Sequence, residues 1–131
     1  MTAGQGETIL IVDDEDSVRT MLSYALKRYG YTVLEAESGD AALRIAGAHR
    51  TPIHLMICDM HVPQMNGPQI AQRVRALQPG VRLLFMSGGY SSDEAVRPGC
   101  IARDQAFLAK PFSLDELAIK VRGALAGEEA S

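Results

Sequence analysis

Five short, mainly apolar runs recur every 22 to 28 residues and constrain the fold of this chain more than any other feature. None of them alternates strictly between polar and apolar residues, which is typical of strands covered on both faces of a sheet. The interval leaves room for one helix and two loops between consecutive runs. The five runs are Ile9–Val12, Val33–Ala36, Leu55–Cys58, Leu83–Met86 and Ala106–Ala109. The chain is therefore predicted to contain five strands with helices between them.

The segments between the runs predict helices, because their apolar residues recur at intervals of three and four. The stripes are Val18, Met21, Leu22, Ala25, Leu26 and Tyr29, then Ile70, Val74 and Leu77, then Leu114, Leu117, Ala118, Val121 and Leu125. Ser113 with Glu116 forms a capping box at the start of the last helix. Residues 38–48 predict a further helix. This alternation favours an α/β domain with a parallel sheet, helices on both faces and right-handed crossovers.

Length and charge narrow the class of protein. With 131 residues we expect one domain over residues 8–126, a loose segment at 1–7 and a tail at 127–131. A formal net charge of -3 offers no field for nucleic acid or for an anionic membrane surface. No apolar stretch approaches the roughly 20 residues that span a bilayer, and the N-terminus lacks the features of a secretory signal. Two cysteines are too few for a disulfide framework, so we expect a cytoplasmic protein.

Polar side chains follow four of the five predicted strands. Asp13 and Asp14 follow the first strand, Asp59 the third, Ser87 the fourth and Lys110 the fifth. The carboxyl ends of parallel strands meet at one edge of the sheet, where such sheets bind ligands. Three carboxylates there repel one another unless a cation joins them, and Mg²⁺ prefers such oxygen ligands. The set fits a carboxylate that accepts a phosphoryl group, with a metal ion and a lysine neutralising the charge.

Each of these residues also has a purely structural interpretation. Acidic residues before a helix often cap it or interact with its dipole, which is the alternative for Asp13 and Asp14. A single Asp after a strand is commonly a turn residue, which is the alternative for Asp59, and a single Ser before two glycines usually starts a loop, which is the alternative for Ser87. Lys110 alone is a typical surface charge. Their occurrence together at successive strand ends favours a shared site.

In order and spacing, these residues resemble the receiver domain of the response-regulator superfamily in two-component signalling. The resemblance covers residues 8–126. It consists of the Asp13-Asp14 pair, the segment D-M-H-V-P-Q-M-N-G that begins at Asp59, M-S-G-G around Ser87, and F-L-A-K-P-F around Lys110. It implies a flavodoxin-like, doubly wound, five-stranded parallel sheet in the order 2-1-3-4-5. Five helices accompany the sheet, and the fourth is expected to be short or irregular.

The resemblance implies chemical roles for particular residues. Asp59 is expected to accept the phosphoryl group. Asp13, Asp14 and Asp59, with the backbone carbonyl of His61, are expected to bind Mg²⁺. Lys110 is expected to pair with the acyl phosphate and to precede Pro111 through a cis bond, which proline permits at little cost.

The resemblance also implies a conformational switch. Ser87 is expected to supply the switch hydroxyl and Phe107 the switch aromatic, at a position where the family often has tyrosine. Ser91 and Glu94 open the predicted fourth helix, which Pro98 cuts short. We therefore expect residues 88–104 to be loosely held before phosphorylation and better protected after it.

The function implied is transfer of a phosphoryl group from a phosphohistidine to Asp59, by a switch domain rather than an enzyme. The implied partner is a histidine kinase or a histidine phosphotransfer domain. The sequence around Ser87 is similar to that of receivers in hybrid sensor kinases. Only six residues follow Leu125, so we expect a stand-alone regulator or a piece of a larger kinase.

One alternative is a small Mg²⁺-dependent phosphohydrolase, whose nucleophile would lie in a D-x-D motif after the first strand. The other is a non-phosphorylated interaction module, which would lack Asp59 or Lys110. The oligomeric state stays open.

Overall fold

The sheet of the protein has the predicted architecture. The computed structural model describes residues 6–62, 64–87, 106–109 and 112–126. Its strands are β1 (Thr8–Val12), β2 (Thr32–Ala36), β3 (Leu55–Asp59), β4 (Arg82–Ser87) and β5 (Ala106–Ala109). All pairings are parallel and the order is β2-β1-β3-β4-β5, which confirms the expected topology.

Four helices flank this sheet within the described ranges. They are α1 (Asp16–Arg28), α2 (Gly39–Ala48), α3 (Gly67–Leu77) and α4 (Leu114–Leu125). The short helix predicted after Ser91 lies outside the described residues, as does the segment 88–104 that was expected to change on phosphorylation. Among the residues that are described, no helix is both long and apolar enough to cross a membrane.

The core has two layers, one on each face of the sheet. Every residue of β1 and β3 is buried, which is why these strands appear in the sequence as unbroken apolar runs. One layer packs α2 and α3 against the sheet and includes Leu10, Val12, Met56, Phe85, Ile70 and Val74. The other packs α1 and α4 and includes Ile9, Ile11, Ile57, Leu84, Leu22 and Val121. Alternate residues of the same strand therefore serve opposite layers, and the sheet lies at the centre of the molecule.

Three residues of the predicted helical stripes are exposed instead of buried. Met21 is 39% exposed, Leu77 48% and Leu114 50%. Leu77 is the last residue of α3 and Leu114 the first of α4, so each lies at a helix end. Periodicity identifies the apolar stripe, but it does not say how much of that stripe the sheet covers.

The start of α3 is fastened to the end of β3. Gly67 donates its backbone N–H to the carbonyl of Met60 at 3.0 Å. A capping box of Asn66 and Gln69 satisfies the helix N-terminus, with hydrogen bonds of 2.9 and 3.0 Å. This box was not predicted from the sequence, whereas the equivalent one at the start of α4 was predicted correctly. The contact of α3 with β3 therefore fixes the backbone that carries Asp59.

Substitution of Gly67 tests how tightly this junction is packed. A Cβ at Gly67 would lie 2.8 Å from the backbone oxygen of Asp59 and 3.1 Å from Cα of Met60, both parts of the backbone. We expect Gly67→Ala to lower the free energy of unfolding by about 1–3 kcal/mol, measured by urea denaturation. The matched control is Gly80→Ala, where a Cβ meets nothing within 4 Å and stability should be unchanged or slightly higher. Equal stability of the two variants would contradict this packing.

Candidate functional site

Two carboxylates lie side by side at the carboxyl edge of the sheet. Asp13 follows β1 directly and Asp59 ends β3, and the pairing of Val12 with Cys58 makes the two aspartates neighbours. Asp13 is fully buried and Asp59 is 7% exposed. The Asp13 N–H donates to the carbonyl of Ala36 at 3.1 Å, so the sheet ladder extends one residue past the end of β1. The topology therefore brings together the two aspartates that the sequence placed at successive strand ends.

The same local hydrogen bond orients both carboxylates. The N–H of His61 donates to Oδ1 of Asp59 at 2.8 Å, and the N–H of Glu15 donates to Oδ1 of Asp13 at 2.9 Å. Each is a bond from an aspartate to the backbone two residues further on, a turn that aspartate favours. These bonds limit rotation of both side chains, so the geometry of the pair is set before any ligand arrives.

A third carboxylate completes an acidic group at this edge. Asp13, Glu15 and Asp59 each place one carboxylate oxygen so that the three oxygens lie within 4.8 Å of one another. Ligands on opposite sides of an octahedral Mg²⁺ are about 4.2 Å apart, because each bond is roughly 2.1 Å long. Both the spacing and the hard oxygen chemistry of this acidic group therefore fit a small divalent cation.

The two acidic residues that follow Asp13 differ in their relation to this acidic group. Asp14 is exposed and is not a member of the acidic group. Glu15 is the N-cap residue of α1, yet its side chain makes no capping hydrogen bond. Helix capping therefore does not determine where the Glu15 carboxylate lies. Glu15 was not predicted as a member of this acidic group, and the only signal for it in the sequence is its place in a run of four acidic residues.

The remaining predicted site residues are described to different extents. The side chain of His61 is exposed, and its backbone N–H binds the carboxylate of Asp59. Phe107 is buried in the layer that contains Phe85, its partner across β4 and β5. Ser87 ends β4, but its side chain lies outside what the structure describes. Lys110 also lies outside the described residues, as does its bond to Pro111.

The carboxylates at this edge of the sheet also affect a buried cysteine, Cys58. The thiol of Cys58 is buried and free, and its pKa is raised well above the ordinary value for cysteine. Burial is the largest cause, and the negative charges of Asp59 and Asp13 add to it. The thiol therefore stays protonated, and its Sγ contacts the carbonyl of Asp59 at 3.3 Å.

Comparisons with known proteins agree on one family. A family model described as "Response regulator receiver domain" matches residues 9–122. The sensor kinase CckA of Brucella abortus is 38% identical over 115 residues, which cover 88% of this chain and 12% of that protein. Sporulation initiation phosphotransferase F of Bacillus subtilis is 31% identical over 111 residues, covering 85% of this chain and 87% of that protein.

Solved structures give the same result. The crystal structure of the receiver domain from the hybrid histidine kinase CckA superposes with a TM-score of 0.73 at 33% identity. The aligned residues cover 90% of this chain and 98% of the CckA receiver domain. The chain spans only 12%, 51% and 31% of the lengths of the first three curated relatives. The similarity thus concerns one domain, which in many relatives is part of a longer protein.

Thiol labelling tests the burial of Cys58. Alkylation requires the thiolate, which a raised pKa makes scarce at pH 8. We expect iodoacetamide to modify Cys58 in the native protein at least about 100-fold more slowly than in the chain unfolded in urea. Peptide mass spectrometry would follow the modification at this residue. Comparable rates in the native and unfolded chains would contradict the packing at the end of β3.

Proposed function

Since the chain belongs to the response regulator receiver domain family, we propose that it accepts a phosphoryl group on Asp59 from a phosphohistidine. Receiver domains are the signalling switches of two-component systems and phosphorelays, and they interact with histidine kinases or phosphotransfer proteins. The observation that carries the proposal is the position of Asp59. It ends the central strand, is nearly buried, and lies in the acidic group with its Oδ1 held by the N–H of His61.

The transfer requires one bond to form and one to break. A carboxylate oxygen of Asp59 attacks the phosphorus atom, the bond from phosphorus to the imidazole nitrogen breaks, and its electron pair stays on the imidazole. The N–H of His61 keeps the carboxylate oriented during the attack. By the resemblance, the ammonium group of Lys110 pairs with the oxygens of the acyl phosphate. Apart from its own phosphorylation and slow dephosphorylation, the domain catalyses no reaction under this proposal.

The acidic group is proposed to bind Mg²⁺. When bound, the ion supplies positive charge that neutralises the phosphoryl oxygens. Asp13 and Asp59 are the two buried carboxylate ligands, and the carbonyl of His61 is a further ligand by the resemblance. The resemblance assigns another position to Asp14. Both side chains are exposed, and we assign that ligand position to Glu15 instead, because the Glu15 carboxylate belongs to the acidic group and the Asp14 carboxylate does not.

We also propose which residues form the switch, which protein donates the phosphoryl group and where in the cell this chain acts. Ser87 is assigned the switch hydroxyl and Phe107 the switch aromatic, which is buried beside Phe85 in this structure. The phosphoryl donor is a histidine kinase or phosphotransfer protein of the cytoplasm, where we place this chain. We propose no direct contact with nucleic acid. The similarity to CckA supports a role as the receiver of a hybrid kinase, and the similarity to sporulation initiation phosphotransferase F supports a stand-alone regulator.

Phosphorylation by a small donor tests the acceptor. We expect acetyl phosphate with Mg²⁺ to add one phosphoryl group to the wild-type chain, detected by intact-mass spectrometry. Asp59→Asn retains the shape of the side chain but removes the nucleophile, so uptake should fall below detection. The matched control is Asp40→Asn, an exposed position on α2 that should behave as the wild type. Uptake by Asp59→Asn at the wild-type rate would overturn the proposal.

Metal titration tests which exposed carboxylate takes part. We expect Glu15→Gln to weaken Mg²⁺ binding on the order of tenfold, because it removes one charged oxygen from the acidic group. Asp14→Asn removes the same charge one residue away and should weaken binding much less. Isothermal titration calorimetry of the two variants gives the comparison. A larger loss in Asp14→Asn would return the assignment to Asp14.

A further inference from the structure

The guanidinium group of Arg19 joins three parts of the chain beside the acidic group. Its Nη1 donates to the backbone carbonyl of Asp13 at 2.7 Å, and its Nη2 donates to the carboxylate of Asp16. Its Nε lies 3.8 Å from a carboxylate oxygen of Glu35 on β2. The side chain is only 14% exposed, although it starts from the first turn of α1. A long charged side chain that is held this closely is an unusual feature of a helix surface.

We propose that Arg19 is a positioning residue for the cation site, an inference that rests on the proposed function. Among the described residues, three hydrogen bonds hold Asp13: its N–H donates to Ala36, its Oδ1 accepts from the N–H of Glu15, and its carbonyl accepts from Arg19. The first contact belongs to the sheet ladder and the second is local to the turn. The contact from Arg19 is a third one, and it comes from α1.

The carbonyl of Asp13 is the critical atom in this arrangement. It belongs to the peptide plane that links Asp13 to the next residue, so its direction determines where the chain goes between β1 and α1. Glu15 follows one residue later, so a change in the course of the chain at Asp14 would displace both its N–H from Oδ1 of Asp13 and its carboxylate from the acidic group. Arg19 therefore acts on the acidic group through the backbone and not by touching a ligand.

Charge and position predict effects of opposite sign, which makes the inference testable. As a charge alone, Arg19 repels a cation, and its removal should strengthen Mg²⁺ binding. As a positioning residue, it holds the carboxylates together, and its removal should weaken binding. Outer groups that orient metal ligands typically contribute 10- to 100-fold in affinity, whereas a screened charge contributes less.

The experiment is calorimetric titration of the full chain with Mg²⁺ at a fixed ionic strength. We expect Arg19→Gln to bind Mg²⁺ about tenfold more weakly than the wild type. Arg19→Lys keeps the charge and can donate to one acceptor, but it lacks the planar fork, so its affinity should fall between the two. The control is Asp16→Asn, which removes the exposed partner of the guanidinium and should stay within about twofold of the wild type.

Two outcomes would overturn the inference. Binding by Arg19→Gln that is equal to or tighter than wild-type binding shows that Arg19 acts at most as a charge. If circular dichroism shows Arg19→Gln to be unfolded, Arg19→Lys decides, since wild-type affinity in that variant equally overturns the inference. Acetyl phosphate is added to the same samples. A wild-type chain that neither binds Mg²⁺ nor takes up a phosphoryl group overturns the proposed function and this inference together, whereas a failure confined to Arg19 leaves the proposed function standing.

Discussion

The crowding of two buried carboxylates, Asp13 and Asp59, is the constraint on which the rest of the site depends. Two like charges at the ends of adjacent strands repel, and burial adds a cost for removing each of them from water. The backbone partly offsets this cost, because an N–H two residues further on binds each carboxylate. The same charges help to raise the pKa of the Cys58 thiol one residue before Asp59. An arrangement of this kind is ready for a cation, and binding a cation only in the native state stabilises that state.

Much of this arrangement followed from the sequence because the strands are covered on both faces. Continuous burial produces continuous apolar runs, and their ends predicted the strand ends to within one residue. The parallel order then required Asp13 and Asp59 to lie at the same edge. The capping box of Ser113 at the start of α4 was equally readable, since both of its hydrogen bonds are local to four residues.

The directions of the side chains between β1 and α1 could not be predicted from the sequence in the same way. Asp13, Asp14 and Glu15 are consecutive acidic residues, and no periodicity indicates which of them face inward. In the structure, Arg19 holds the carbonyl of Asp13 from the first turn of α1, six residues further along the chain, and no pattern in the sequence indicates that contact. The burial of the helical stripes was likewise overestimated at Met21, because the sheet covers less of the stripe than its width suggests. Sequence patterns thus predict elements and their edges better than side-chain directions in the connecting turns.

The central claim is that one metal ion binds between two carboxylates that backbone N–H groups hold in place. The most direct test is a Mg²⁺ titration of the wild-type chain followed by the amide signals in two-dimensional nuclear magnetic resonance spectra. The account predicts that the largest saturable changes occur at the N–H groups of Glu15 and His61, which bind the two carboxylates. At the opposite edge of the sheet, Thr8 donates its N–H to the ring of His54 at 2.9 Å, and this amide should not respond. Changes centred on Thr8, or no saturable change at Glu15 and His61, would contradict the account.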